Sequence, residues 1–290
     1  MIAPGRRWSS YLFLVPFAAS FLTFIVTPIV VAALLACSNL DLTSRQSAGW
    51  VGITNYVNAV KDENFHKAAL ASCTYAGMMI PALVALGFAF ALGLKSMERG
   101  RNFVRGLMFV PGMFNVVVAA LIWRWFYELD FGYFNYLLHK IGVGPIHWLS
   151  EKSVAMRSIV GMSLWWSLGG TTVILLAALQ QIPTQLYEAA MLDGATAPTV
   201  FTRITIPQLR PVLLFVLVTS TIGAFQMYGQ SALLTQGGPE LSTRGMVQLI
   251  YETAFNQYRL GYAASISWLL FAMIAIPVLA IVFWLRRSID

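Results

Sequence analysis

Six apolar stretches decide what this chain can become: Tyr11–Ala36, Ala68–Leu94, Phe103–Trp123, Val154–Leu179, Pro211–Leu234 and Leu260–Leu285. Each runs for about 20 to 27 residues, which at 1.5 Å per residue crosses a hydrocarbon core of about 30 Å. None carries Asp, Glu, Lys or Arg at its centre, where a charge costs about 2.5–3.5 kcal/mol. Backbone groups in lipid must satisfy one another, so these stretches predict an all-α polytopic membrane protein with six transmembrane helices. Residues 1–290 read as one transmembrane domain, with no length left over for a separate soluble one.

Composition agrees. Hydrophobic residues make up 58% of the chain and charged residues 11%, against about 25% charged in soluble domains. The net charge of +7 lies in short basic clusters beside the apolar stretches, a pattern that suits phospholipid headgroups and not nucleic acid. Cys37 and Cys73 lie at or inside apolar segments and read as small packed side chains. His66, His139 and His147 lack ligand spacing, so no metal site is expected. Gly87 and Gly93 precede Lys95-Ser96, but Leu94 intervenes and the segment is a span, so no phosphate-cradling loop is encoded.

Basic density sets the orientation. Arg6 and Arg7 precede the first span, Lys95, Arg99, Arg101 and Arg105 join the second to the third, Arg203 and Arg210 follow the fourth, and Arg286 and Arg287 end the chain. The positive-inside rule makes these segments, and both termini, cytoplasmic. Leu34-Leu35-Ala36-Cys37 has the look of a lipoprotein cleavage box, but its apolar lead is longer than a signal core of about 7–15 residues, so an uncleaved first span is expected. Pro28, Pro81 and Pro111-Gly112 fall inside spans and predict kinks in a packed bundle. Trp50, Trp123, Trp125, Tyr127 and Trp148 stand at span ends, where amphipathic rings favour the headgroup level.

Between the fourth and fifth spans lies a polar, helix-forming insert over residues 182–207. Pro183 suits a first helical position, Glu188 to Leu192 are mostly strong helix formers, and Gly194 suits a left-handed stop. Thr196 is a possible N-cap with Pro198 in the first turn of a second helix, which Pro207 is expected to end. Ala189 and Ala190 keep part of the surface low, so another protein can approach the backbone. Glu188 and Asp193 stand five apart, which argues against a paired-carboxylate catalytic site.

Glu188-Ala189-Ala190, three residues, Gly194, nine residues, then Ile204-Thr205-Ile206-Pro207 resembles the signature of permease subunits in binding-protein-dependent ABC importers, with Ile206 where the family has Leu. The resemblance narrows to the carbohydrate branch, the maltose and glycerol-phosphate permease type. It continues in Trp50-Val51-Gly52-Ile53-Thr54-Asn55-Tyr56, Arg99-Gly100-Arg101, Phe109-Val110-Pro111, Trp123-Arg124-Trp125, Leu234-Thr235-Gln236-Gly237-Gly238-Pro239 and Gly261-Tyr262-Ala263-Ala264-Ser265. It implies a type I importer permease fold, in a bacterial or archaeal cytoplasmic membrane. The implied partners are a second similar permease, two ATPase subunits and an external solute-binding protein, with ATP and magnesium held by the ATPases. It assigns contact with the ATPase to Tyr187, Glu188, Ala189, Ala190, Asp193, Gly194, Ile204 and Pro207. Two departures stand out: Pro198 where relatives often have Trp, and Gly229 where they often have Asp.

The solute-pathway candidates are polar or aromatic residues within the spans: Asn115, Trp165, Trp166, Gln226, Tyr228, Gln230 and Ser231. Aromatic faces with amides and hydroxyls suit a mono- or oligosaccharide, although such a residue taken singly more often makes a helix–helix contact. A glycerol phosphate ester is the alternative solute. An ion-coupled secondary transporter is the alternative mechanism, disfavoured by span centres without carboxylates or histidines. An embedded enzyme would need a nucleophile–base pair or clustered carboxylates, which the sequence does not offer.

Overall fold

The computed structural model describes residues 13–43 and 49–286. The basic residues Arg6, Arg7 and Arg287, and the start of the first apolar stretch at Tyr11, lie outside them. Among the described residues five helices are long and apolar enough to cross a membrane: Val15–Ala36, Glu63–Ser96, Lys152–Gln181, Ala197–Phe225 and Leu260–Trp284. A bent pair, Arg101–Met113 and Val116–Phe126, makes six when counted as one crossing.

At that pair the kink expected from Pro111-Gly112 is a full break in the helix. Its halves meet at 99°. Pro111, which lacks an N–H, tightens Val110–Met113 into a 3₁₀ turn, and the backbone then runs extended through Phe114 and Asn115. The Asn115 side chain accepts the Val117 N–H at 3.0 Å and so caps the second half.

The fifth span also differs from its sequence reading. Its helix stops at Phe225 and not at Leu234; a turn at Gln226–Tyr228 leads to the short helix Gly229–Leu234. Length explains the shift. The helix already starts at Ala197, and its 29 residues span about 44 Å, more than the hydrocarbon core requires.

Pro207 was expected to end a helix, yet the helix passes through it. Proline clashes with the carbonyl four residues back, here that of Arg203, which lies in a π turn over Phe201–Thr205. The same device serves the first span, where a π turn over Leu22–Val26 precedes Pro28. In both, the wider turn takes up the clash and the helix continues.

Two compact units are distinguished. One takes in Met1–Asp62 and Ile250–Leu269. Here Asn55 Nδ2 donates to the carbonyls of Ala36 at 3.0 Å and Ser38 at 2.8 Å, tying the helix Thr54–Lys61 to the end of the first span. The Gly261 N–H donates to Leu40 O at 3.1 Å and the Tyr262 hydroxyl to Asp62 Oδ2 at 2.8 Å. Two of the family-like segments, Trp50–Tyr56 and Gly261–Ser265, therefore act as structural ties.

The other unit takes in Glu63–Leu249 and Leu270–Asp290. Its core joins the second, fourth and fifth spans through Phe88, Leu94, Leu175, Leu176, Leu179, Ile182, Leu209 and Val216. In lipid such contacts gain packing and not water-to-oil transfer, so close approach matters. A β-carbon at Gly169 would lie 2.0 Å from the Met108 carbonyl oxygen; only glycine lets the third crossing's first half touch the fourth span there. The basic connection after the second span is structural as well as surface-seeking. Arg101 donates to the carbonyls of Lys95 and Met97, capping the end of that span.

Between the third and fourth spans, Asn135 is buried with every hydrogen-bonding position used. It donates to Leu129 O and Ile146 O and accepts from the Ile146 N–H and the Trp148 indole. Trp123, Tyr127, Phe134 and Trp148 pack on one another in the same loop, with ring centroids 5.3–5.9 Å apart. Burial pushes the Tyr127 hydroxyl above its ordinary pKa. Trp123, Tyr127 and Trp148 thus build a folded loop, whereas Trp50 and Trp125 remain exposed as belt residues would be.

Candidate functional site

The fourth span ends at Gln181, the insert helix runs Thr184–Leu192, and the fifth span begins at Ala197. Pro183 precedes the helix and is not its first residue; its ψ of 132° keeps it extended. The helix ends as expected at Gly194. With φ at +73°, Gly194 donates its N–H to Met191 O at 3.1 Å, and the Ala195 N–H donates to Ala190 O at 2.9 Å. This is a Schellman end, which occupies two otherwise orphaned carbonyls and turns the chain sharply. Thr196 begins the next helix without a side-chain cap, its hydroxyl pairing with that of Thr199 at 2.9 Å. Pro198 sits in the first turn, where its ring is tolerated.

The second helix of the expected helix–Gly–helix element is the start of the fifth span itself, with no separate end. Any displacement of Gly194 is therefore passed to a membrane helix through two residues, Ala195 and Thr196.

Glu188, Ala189, Asp193 and Gly194 are exposed, as are Met191 and Leu192 at 66% and 89%. Such exposure of Met and Leu beside a carboxylate on a folded helix end leaves a docking face. Ala190 departs from the expectation: it is buried within this chain, so the low surface is supplied by Ala189. Tyr187, Ile204 and Pro207 are half-buried and face the chain's own structure. The Tyr187 and Thr205 hydroxyls lie 3.3 Å apart, linking the insert helix to the π turn.

Of the seven pathway candidates, the structure brings two together. Trp166 and Gln230 line a cavity of about 270 Å³ with Tyr75, Ser167, Thr171, Thr219 and Ser220. The last five were missed in the sequence, although Ser167 and Thr171 stand one helical turn apart on one face. Asn115 is a helix cap, and Trp165 packs against Trp123 with centroids 5.8 Å apart. Gln226 ends the fifth-span helix and Tyr228 begins the following short one. Ser231 is fully buried and donates to Gln248 Oε1 at 2.6 Å, a tie between two helices. At Gly229, a β-carbon would meet Val116 Cγ1 at 3.0 Å, so an Asp in its place would require Val116 to move.

Residues 57–290 match the family described as binding-protein-dependent transport system inner membrane component. The chain is 32% identical over 267 residues to the trehalose/maltose transport system permease protein MalF of Thermococcus litoralis, covering 91% of this chain and 89% of that one. It is 30% identical over 275 residues to the arabinooligosaccharides transport system permease protein AraP of Bacillus subtilis, covering 94% and 87%. In fold it is similar to a chain from the crystal structure of a bacterial ABC transporter involved in the import of the acidic polysaccharide alginate. The TM-score is 0.86 at 23% identity, covering 99% of this chain and 98% of that one. The chain belongs to the family of binding-protein-dependent transport system inner membrane components and is a multi-pass membrane permease subunit.

Proposed function

We propose that this permease is one membrane half of an ATP-driven importer that takes up a saccharide handed to it by an external solute-binding protein. The observation that carries the reading is the insert: a Schellman-terminated helix with Glu188, Ala189, Met191 and Leu192 exposed, joined by Ala195 and Thr196 to the fifth span. In this reading the insert lies in the cytoplasm with both termini, and a partner ATPase grips its exposed face. ATP and magnesium are held by two such partners. A second, similar permease completes the pathway. Closure of the ATPases moves the insert as a rigid lever, and the attached spans exchange inward- and outward-facing states. The solute shifts that exchange only by binding the two states unequally.

A saccharide is supported by the cavity and by the named relatives, which belong to trehalose/maltose and arabinooligosaccharide transport systems. The cavity lining joins one indole, one phenol, four hydroxyls and an amide to the apolar Met79, Leu83 and Ala224, with no charged residue. Such a surface hydrogen-bonds sugar hydroxyls and stacks on a pyranose face, and it offers a phosphate ester no fixed cation.

The test is reconstitution of the assembled complex in liposomes with its binding protein and a panel of labelled mono- and oligosaccharides. Uptake of at least one sugar that requires ATP inside the vesicle compartment facing the insert is expected. Uptake that follows an ion gradient and ignores ATP would overturn the reading.

A further inference from the structure

We infer that Lys95 is a positioning residue that locks the insert helix to the spans it drives, a role that rests on the reading of the insert as the ATPase handle. Lys95 is the penultimate residue of the second span. Its ammonium donates to Leu179 O at 3.2 Å and lies 4.5 Å from the centroid of the Tyr187 ring.

The first contact has a cause in the sequence. Leu179 O would ordinarily receive the N–H four residues on, but that residue is Pro183, which has none. Lys95 supplies the missing donor. It also places a positive charge at the C-terminal ends of two helices, the second and fourth spans, where carbonyl dipoles converge.

The second contact fixes the insert. Only Ala190 of the insert helix is buried, and between that helix and the start of the fifth span lies a cleft of about 370 Å³ walled by Tyr187, Met191, Val200 and Phe201. Apolar packing reaches this helix at Ala190 and at the Tyr187 ring, which lies against the core of the second, fourth and fifth spans, and leaves Met191 on the cleft. Tyr187 restrains it from two sides: the Lys95 cation lies on its ring, and its hydroxyl meets that of buried Thr205 in the π turn. The chain Leu179–Lys95–Tyr187–Thr205 joins the second, fourth and fifth spans to the lever through one residue of each, Leu179 by its backbone carbonyl and the others by side chains. A lever loosened at Tyr187 would still bind the motor but would pass on less of its movement.

The experiment compares Lys95→Met, Lys95→Arg and Tyr187→Phe in the assembled complex reconstituted with its binding protein. Two quantities are read: sugar transported per ATP hydrolysed, and the mobility of a nitroxide attached to Leu192→Cys. Lys95→Met is expected to lower the transport-to-hydrolysis ratio about tenfold and to sharpen the nitroxide spectrum, since a cation–π contact and a charged hydrogen bond are lost together. Lys95→Arg keeps both contacts and should restore the ratio. Tyr187→Phe keeps the ring and should lower it about threefold. A merely structural lysine would reduce the amount of assembled complex and leave the ratio and the spectrum unchanged, and that result would overturn the proposal. An unmodified complex that transports without ATP would instead defeat the reading of the insert, so the two failures are distinct.

Discussion

The Trp166 indole N–H donates to the carbonyl of Phe114 at 3.0 Å, across the break in the third crossing. The break frees backbone groups that lipid cannot satisfy, and a residue of the fourth span supplies one of the missing partners. The same indole forms part of the wall of the uncharged cavity. One side chain thereby braces the bent span and walls the cavity proposed to take the solute.

Trp166→Phe removes that donor and keeps most of the ring. A loss of about 1 kcal/mol in stability is expected, from the range for hydrogen bonds within membranes. Reversible unfolding in mixed detergent would read it, and an unchanged midpoint would show that the bend holds without the bond.

Gly194→Ala places a β-carbon on a backbone at φ +73°, at a cost of about 1–2 kcal/mol. The helix end should unwind and the turn into Ala195 loosen. Membrane insertion should stay normal while transport is lost, as a comparison of membrane-fraction yield with uptake would reveal. Glu188→Lys reverses the exposed charge without touching the backbone and should give the same separation.

Ser231 and Gln230 are neighbours with opposite expected phenotypes. Ser231→Ala breaks a buried bond to Gln248 and should lower stability by about 1 kcal/mol with the solute preference unchanged. Gln230→Ala removes an amide from the cavity wall and should raise the KM for the transported sugar with little effect on the unfolding midpoint. Thermal unfolding and uptake kinetics, measured on both variants, separate the two.

Tyr262→Phe removes the hydroxyl that donates to Asp62 at 2.8 Å. An acceptor of that kind carries charge, so a loss of about 1.5–3 kcal/mol is expected. Asp62→Asn keeps an acceptor and should cost less; equal losses in detergent unfolding would contradict the assignment.

The spans were legible because hydropathy is a local property: runs such as Ala68–Leu94 announce a crossing without reference to anything else. The stop at Gly194 was legible for the same reason, since a left-handed turn asks for glycine whatever surrounds it. The bend at Phe114 was not, although Pro111-Gly112 marked the place, because its angle depends on Gly169 and Trp166 in another helix. Pro207 read as a terminator because the pattern of prolines does not reveal a π turn that absorbs the clash. Lys95 read as one of several surface cations, its partner Leu179 lying 84 residues further on. Polar residues of the spans divided between cavity wall and helix tie only once their neighbours were known: Gln230 and Ser231 are adjacent in sequence and serve different ends.

The segment ending at Gly194 is proposed to be a handle held by a nucleotide-hydrolysing subunit. Photo-crosslinking from Leu192, 89% exposed at the tip of the insert helix, addresses it most directly. With a photoreactive residue at that position in the membrane-assembled complex, illumination should join this chain to an ATPase subunit, with a yield that changes when ATP is added. Crosslinks formed instead with the external binding protein, or with no ATPase in any nucleotide state, would contradict it.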